Sequence, residues 1–191
     1  MTKSRLEAFS DGVIAILITI MVLELKVPHG ASFADLKPLW PVFLSYLLSF
    51  VYLAIYWNNH HHMLHTAERI NGRILWGNMH LLFWLSLVPF TTGWMGENHF
   101  AALPTALYGC VLFLAACAYT ILQALIIREH GPDSKLKRAV GNDAKGKLSA
   151  ALYLVAIAFT FVSPSISWAI YVFVALLWLA PDRRIEGILK S

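Results

Sequence analysis

Six apolar stretches of membrane-crossing or near-crossing length follow one another along this chain, at residues 8–27, 39–58, 74–95, 104–127, 148–163 and 166–180. About 20 apolar residues, coiled at 1.5 Å per residue, cover the roughly 30 Å of a hydrocarbon core. Windows of that length with few ionisable residues read as transmembrane helices. Composition agrees: 58% of the residues are hydrophobic and 14% charged, against roughly 45–50% and about 25% in soluble domains. The expected fold is an all-α membrane protein with six transmembrane helices in one domain over residues 1–191. The last two windows are short and are joined by Ser163, Pro164 and Ser165, which reads as a tight helical hairpin.

Lysine and arginine give the orientation, because short loops rich in them stay cytoplasmic. With six spans all of them except Lys26 and Lys37 fall on the side of the two termini, including Lys3, Arg5, Arg69, Arg73 and, near the end, Arg183, Arg184 and Lys190. Both termini are therefore expected in the cytoplasm of a multi-pass protein. The pI of about 9.1 then serves topology and anionic headgroups of the lipid bilayer, and no nucleic-acid partner is required. Glu7 and Asp11 at the start of the first window, and Glu24, Lys26 and Pro28 at its end, do not fit a cleaved secretory signal. Cys110 and Cys117 share a face of the fourth window and read as small packing residues.

The first window opens with RLEAFSDGVIAI. Ser10 and Asp11 enter the membrane edge here, and a centrally placed aspartate costs roughly 2.5–3.5 kcal/mol. Asp11 therefore needs a partner. Arg5 lies on another side of the same helix, so the partner is expected on a second helix or subunit. Farther along, Gly12, Ile16, Thr19 and Leu23 form one stripe at 100° per residue, with Ile20 at its edge and Arg5 and Phe9 extending it. Inside the third window, Asn78, His80 and Trp76 are the expected partners of the polar cluster, since polar groups in membrane helices face other helices.

The pattern R-x-x-x-F-S-D (Arg5, Phe9, Ser10, Asp11), running into GVIAI, resembles the first-helix signature of the endosomal and lysosomal potassium channels called transmembrane protein 175, specifically their short prokaryotic relatives. The WNNHH and NMHLLFWLSLVPF segments extend the resemblance. Animal members carry two six-helix units per chain, so a chain with one implies a homotetramer. The resemblance implies first helices lining a central pore, held in place by Arg5, Phe9, Ser10 and Asp11. It also implies a constriction of aliphatic layers in place of a carbonyl filter, and this sequence lacks TVGYG. By offset from Asp11 those layers fall on Ile16, Ile20 and Leu23, with Thr19 at a hydroxyl layer that would tune ion preference. The implied function is a potassium-permeable cation channel of a prokaryotic plasma membrane, conducting monovalent cations, with no cofactor beyond the permeant potassium ion.

Two other classes stay open on the residues alone. A proton- or ion-coupled secondary transporter would carry ionisable residues at mid-membrane and broken-helix symmetry; His80 and Pro89 are its candidates. A His-ligated metal or haem protein would draw on His61 and His65, four apart in the run His60, His61, His62, His65, with Glu68 the acidic group nearest in sequence. The other readings of that run are a partly solvated helix end and participation in the channel's polar network or a pH response. No nucleophile with a base, phosphate loop or paired acids appears, so catalysis is not expected. Glu24 and Glu97 are solvated charges or part of a cation-attracting vestibule, Pro89 is expected to kink the third span, and Trp40, Trp57, Trp94, Trp168 and Trp178 read as interfacial belts.

Overall fold

The computed structural model describes residues 2–179; Ala180, which ends the sixth window, and Arg183, Arg184 and Lys190 lie outside them. All regular structure among these residues is helical. Helix α1 (Lys3–Leu23) closes on Glu24, whose N–H reaches the Met21 and Val22 carbonyls, short of the expected end at Val27. After it, Ser32 caps the short α2 (Phe33–Leu36) reciprocally with Asp35. The Ser32 N–H and hydroxyl both donate to Asp35 Oδ2, at 3.0 and 2.6 Å.

A 3-10 turn leads into α3 (Trp40–His65), which runs on through the histidines. Asn71 caps α4 (Gly72–Ser86) by accepting from the Ile74 N–H at 3.0 Å. The third window breaks at Leu87 and resumes as α5 (Val88–Glu97) with Pro89 in its first turn, where a missing N–H costs nothing. Next come α6 (Ala102–His130), α7 (Lys135–Val140), α8 (Ala144–Phe159) and α9 (Pro164–Leu179). Four segments, Lys3–Leu23, Phe33–His65, Gly72–Glu97 and Ala102–His130, are long and apolar enough to cross a membrane. The helices α8 and α9, 16 residues each, cover most of the two short windows.

Helix α6 is the spine, packed against α4, α5, α8 and α9, while α1 lies to one side on α3, α4 and α5. The centre holds four tyrosines, Tyr52, Tyr108, Tyr153 and Tyr171, with neighbouring ring centroids 5.6 to 6.5 Å apart. Buried phenols need partners. Tyr52 donates to the Tyr171 carbonyl at 2.7 Å, Tyr171 to the Thr105 carbonyl at 3.2 Å, and Tyr108 pairs with Ser49 at 3.0 Å.

The α6–α9 approach depends on Gly109, where an added Cβ would stand 2.0 Å from Tyr171 Oη and 2.8 Å from its Cζ. Gly109→Ala is expected to cost about 1–3 kcal/mol, the range for overpacking a well-filled core. The measurement is the thermal unfolding midpoint in detergent, and Tyr171→Phe in the same background should restore part of the loss. An unchanged midpoint would mean that the two helices separate freely.

Candidate functional site

Helix α1 is two-faced. Leu6, Ser10, Ile14, Leu17 and Met21 are buried against the bundle. The stripe of Phe9, Gly12, Ile16, Thr19, Ile20 and Leu23 points away and is exposed in the single chain, with Ile16 at 57% and Leu23 at 78%. Gly12 has no neighbouring atom within 4 Å of a built Cβ, so this face has no partner in its own subunit. The Thr19 hydroxyl donates to the Ile16 carbonyl at 2.9 Å. With its proton committed to the helix, the exposed oxygen offers lone pairs, which is the polarity a cation needs.

The buried side is anchored by a polar chain through three helices. The Ser10 hydroxyl donates to the Leu6 carbonyl at 2.8 Å and accepts from Asn78 Nδ2 at 2.9 Å. Asn78 Oδ1 in turn meets His60 Nε2 at 2.6 Å. Because that amide oxygen only accepts, the ring nitrogen is the donor and the imidazole carries its proton on Nε2. Ser10, Asn78 and His60 are all essentially sealed from solvent. Beside them Trp57 Nε1 donates to Asp11 Oδ1 at 3.0 Å, so the carboxylate at the membrane edge is held by α3. Lys3 Nζ donates to the His65 carbonyl at 2.8 Å and ties the start of α1 to the end of the same helix.

Of the residues marked from sequence, Ser10, Asp11 and Asn78 take part in these contacts. Arg5 and Phe9 lie on the exposed side of α1. His80 and Trp76 do not enter the cluster: both are exposed, His80 accepts from Trp84 Nε1 at 2.9 Å, and Trp76 and His80 line an open groove with Arg73. His60, which the sequence offered only as one member of the histidine run, and Trp57, read from sequence as a belt residue, complete these contacts. Their signal was the spacing within α3. Tyr52, Tyr56, His60 and Met63 follow one buried face, whereas Trp57, His61 and His65 follow an exposed one.

His61 stacks between Trp57 and His65, at 6.2 and 6.3 Å between centroids. No group of three or more His, Cys, Asp or Glu side chains that would hold a metal occurs among the described residues. At the opposite end of α1, Lys26 pairs with Glu97, and that carboxylate raises the Lys26 ammonium above its usual range. Glu24 lies near Gly93 of α5, with Oε2 3.4 Å from a built Cβ. Trp168 and Trp178 are not simple belt residues, since Trp168 Nε1 is buried without a partner and Trp178 Nε1 donates to Ser149 Oγ at 2.8 Å.

The sequence model of the family described as endosomal/lysosomal potassium channel TMEM175 matches residues 5–89, the segment that holds both faces of α1 and the Ser10–Asn78–His60 chain. A potassium channel of Chryseobacterium sp. (strain P1-3) is 57% identical over 191 residues, covering 100% of each chain. A potassium channel of Chamaesiphon minutus is 31% identical over 171 residues, 83% of this chain and 84% of that one. The crystal structure of a lysosomal potassium-selective channel TMEM175 homolog from Chamaesiphon minutus superposes with a TM-score of 0.82 at 29% identity, over 94% of this chain and 97% of that chain. With a relative so similar matched from end to end, and the signature helix inside the matched segment, this chain belongs to the TMEM175 family.

Proposed function

We propose that four copies of this chain assemble around their α1 helices as a potassium-permeable cation channel in a prokaryotic plasma membrane. Each subunit is one six-span domain with both termini in the cytoplasm. The observation that carries the reading is the division of α1: its polar anchor is buried within the subunit, while Ile16, Thr19, Ile20 and Leu23 stand exposed on one stripe. Around a four-fold axis that stripe faces the other copies. Rings of Ile16, Ile20 and Leu23 form a constriction that excludes water and closes by dewetting. Between them a ring of Thr19 oxygens replaces part of a potassium ion's hydration. The family membership, and the relatives named as potassium channels, support the ion. The Ser10–Asn78–His60 chain and the Trp57–Asp11 bond hold each pore helix to its own bundle.

The test is electrical recording from purified protein in liposomes under a potassium gradient, then with sodium substituted on one side. The expected result is a potassium current whose reversal potential shifts on substitution. In Thr19→Ala the potassium-to-sodium permeability ratio should fall by about 2- to 10-fold, corresponding to one hydrogen-bond-sized contribution of about 0.5–1.5 kcal/mol. An unchanged reversal potential in the variant would remove Thr19 from ion selection. Well-folded tetramers that carry no current would overturn the channel and point to coupled transport.

A further inference from the structure

A cleft lined by no residue of α1 opens between α3, α6, α8 and α9. Tyr56, Tyr119, Tyr153 and Trp178 supply aromatic walls, and Asn59 and Asp143 supply polar ones. It is a small cavity of about 50 Å3, partly open to solvent, against the roughly 10–15 Å3 that a single water needs, so it has room for a compact head group only. Its walls are fixed. Trp178 is pinned by its bond to Ser149, Tyr119 by donation to the Asn59 carbonyl at 3.2 Å, and Asp143 by accepting the Gly146 N–H at 3.2 Å as the cap of α8. Tyr56 and Tyr119 meet edge to face at 6.2 Å, and Tyr153 tilts against Tyr52 at 6.3 Å.

The lining includes one carboxylate and no Lys, Arg or His, so its field favours positive charge. Aromatic faces select cations that shed water cheaply, above all alkylated ammonium groups, whose attraction to a ring is about 0.5–2 kcal/mol. An inorganic ion would give up more hydration than one carboxylate and a few rings return. The rim already displays this chemistry: the Lys145 ammonium stands 4.8 Å from the centroid of the Trp178 ring.

We infer that this cleft binds a small organic ammonium group, with Asp143 as counter-ion, Trp178 and the tyrosines as cation–π walls, and the Lys145 ammonium as a built-in competitor. The group belongs either to a lipid headgroup or to a soluble alkylammonium, and the chemistry is the same. The proposal is independent of the pore.

The probe is tetramethylammonium chloride, titrated into the purified full-length protein in detergent and followed by tryptophan fluorescence against potassium chloride at equal ionic strength. A saturable change specific to tetramethylammonium is expected, and it should disappear in Trp178→Phe. Asp143→Asn keeps the cap and tolerates the left-handed backbone at that residue (φ 47°), so it should fold normally and bind at least tenfold more weakly. Lys145→Gln should bind a few-fold more tightly. A titration indistinguishable from potassium chloride, or an Asp143→Asn protein that binds as well as wild type, would overturn the assignment. Repetition in vesicles identifies the source. Binding lost in phosphatidylethanolamine but kept in phosphatidylglycerol supports an occupying headgroup, and equal binding in both supports a soluble ligand.

Discussion

Ile16→Asn is expected to raise the resting potassium conductance of reconstituted channels by at least tenfold. A closed hydrophobic ring resists ions because water leaves it, and the barrier follows how poorly its lining is wetted. In the proposed tetramer, four asparagines at one level would place eight amide oxygen and nitrogen atoms where four sec-butyl side chains would otherwise meet. A barrier reduction of only about 1.4 kcal/mol yields the tenfold change, less than the cost of leaving a single polar group dry. The contrast lies two residues away. Ile14 is sealed at 0% exposure, so Ile14→Asn should leave a polar group in the α1–bundle contact, lower the yield of folded protein and leave any surviving current as it was. If Ile16→Asn recorded like wild type while Leu23→Asn opened the path, the constriction would sit at the far end of α1. If neither altered the current, the ion would pass elsewhere.

The contrast between Ile14 and Ile16 also measures what the sequence could say. Both faces of α1 are greasy, because Ile14, Leu17 and Met21 are no less apolar than Ile16, Ile20 and Leu23. Periodicity drew the stripe but could not decide whether it faced lipid, a neighbour or a pore. Helix content was legible from length alone, since a hydrocarbon solvent leaves the backbone so few choices. The burial of single residues was not, as α3 shows: its histidine run is the partly solvated helix end that the residues suggest, with His61 and His65 exposed, yet His60 within it is buried. His80 failed in the opposite direction. A polar residue inside a span is expected to face its own bundle, but in this subunit it faces outward, paired with Trp84 on the same helix. An (i, i+4) bond of that kind satisfies a side chain locally and leaves no long-range sequence signal.

Asn78→Leu is expected to release α1 from its bundle. The substitution keeps the branching at Cγ and is slightly larger, so no cavity forms, but it replaces a polar amide by two methyls and strips the Ser10 hydroxyl of a donor and His60 Nε2 of its acceptor. The Ser10 proton still reaches the Leu6 carbonyl, so the serine loses one of two bonds. His60 loses the amide oxygen in a site 1% exposed. Membrane double-mutant cycles give about 0.6 kcal/mol per hydrogen bond, with a maximum near 1.7, and an orphaned buried donor adds about 1–3. The expected total is about 2–4 kcal/mol, read as a lower unfolding midpoint of the solubilised protein. Ser10→Ala alone should cost less, because it removes a hydroxyl and leaves only one Asn78 proton without a partner. The two changes should also be non-additive: once Asn78 is leucine, Ser10→Ala has little left to break. Additive losses would mean that Ser10 and Asn78 act separately and that the chain across α1, α4 and α3 does not work as a unit. The functional readout is separate from the thermal one. A looser α1 should widen the distribution of single-channel current levels while the reversal potential stays fixed, because the variant leaves Thr19, the proposed selectivity residue, chemically unchanged. A variant that melts early but conducts with one sharp level would assign the chain to folding alone.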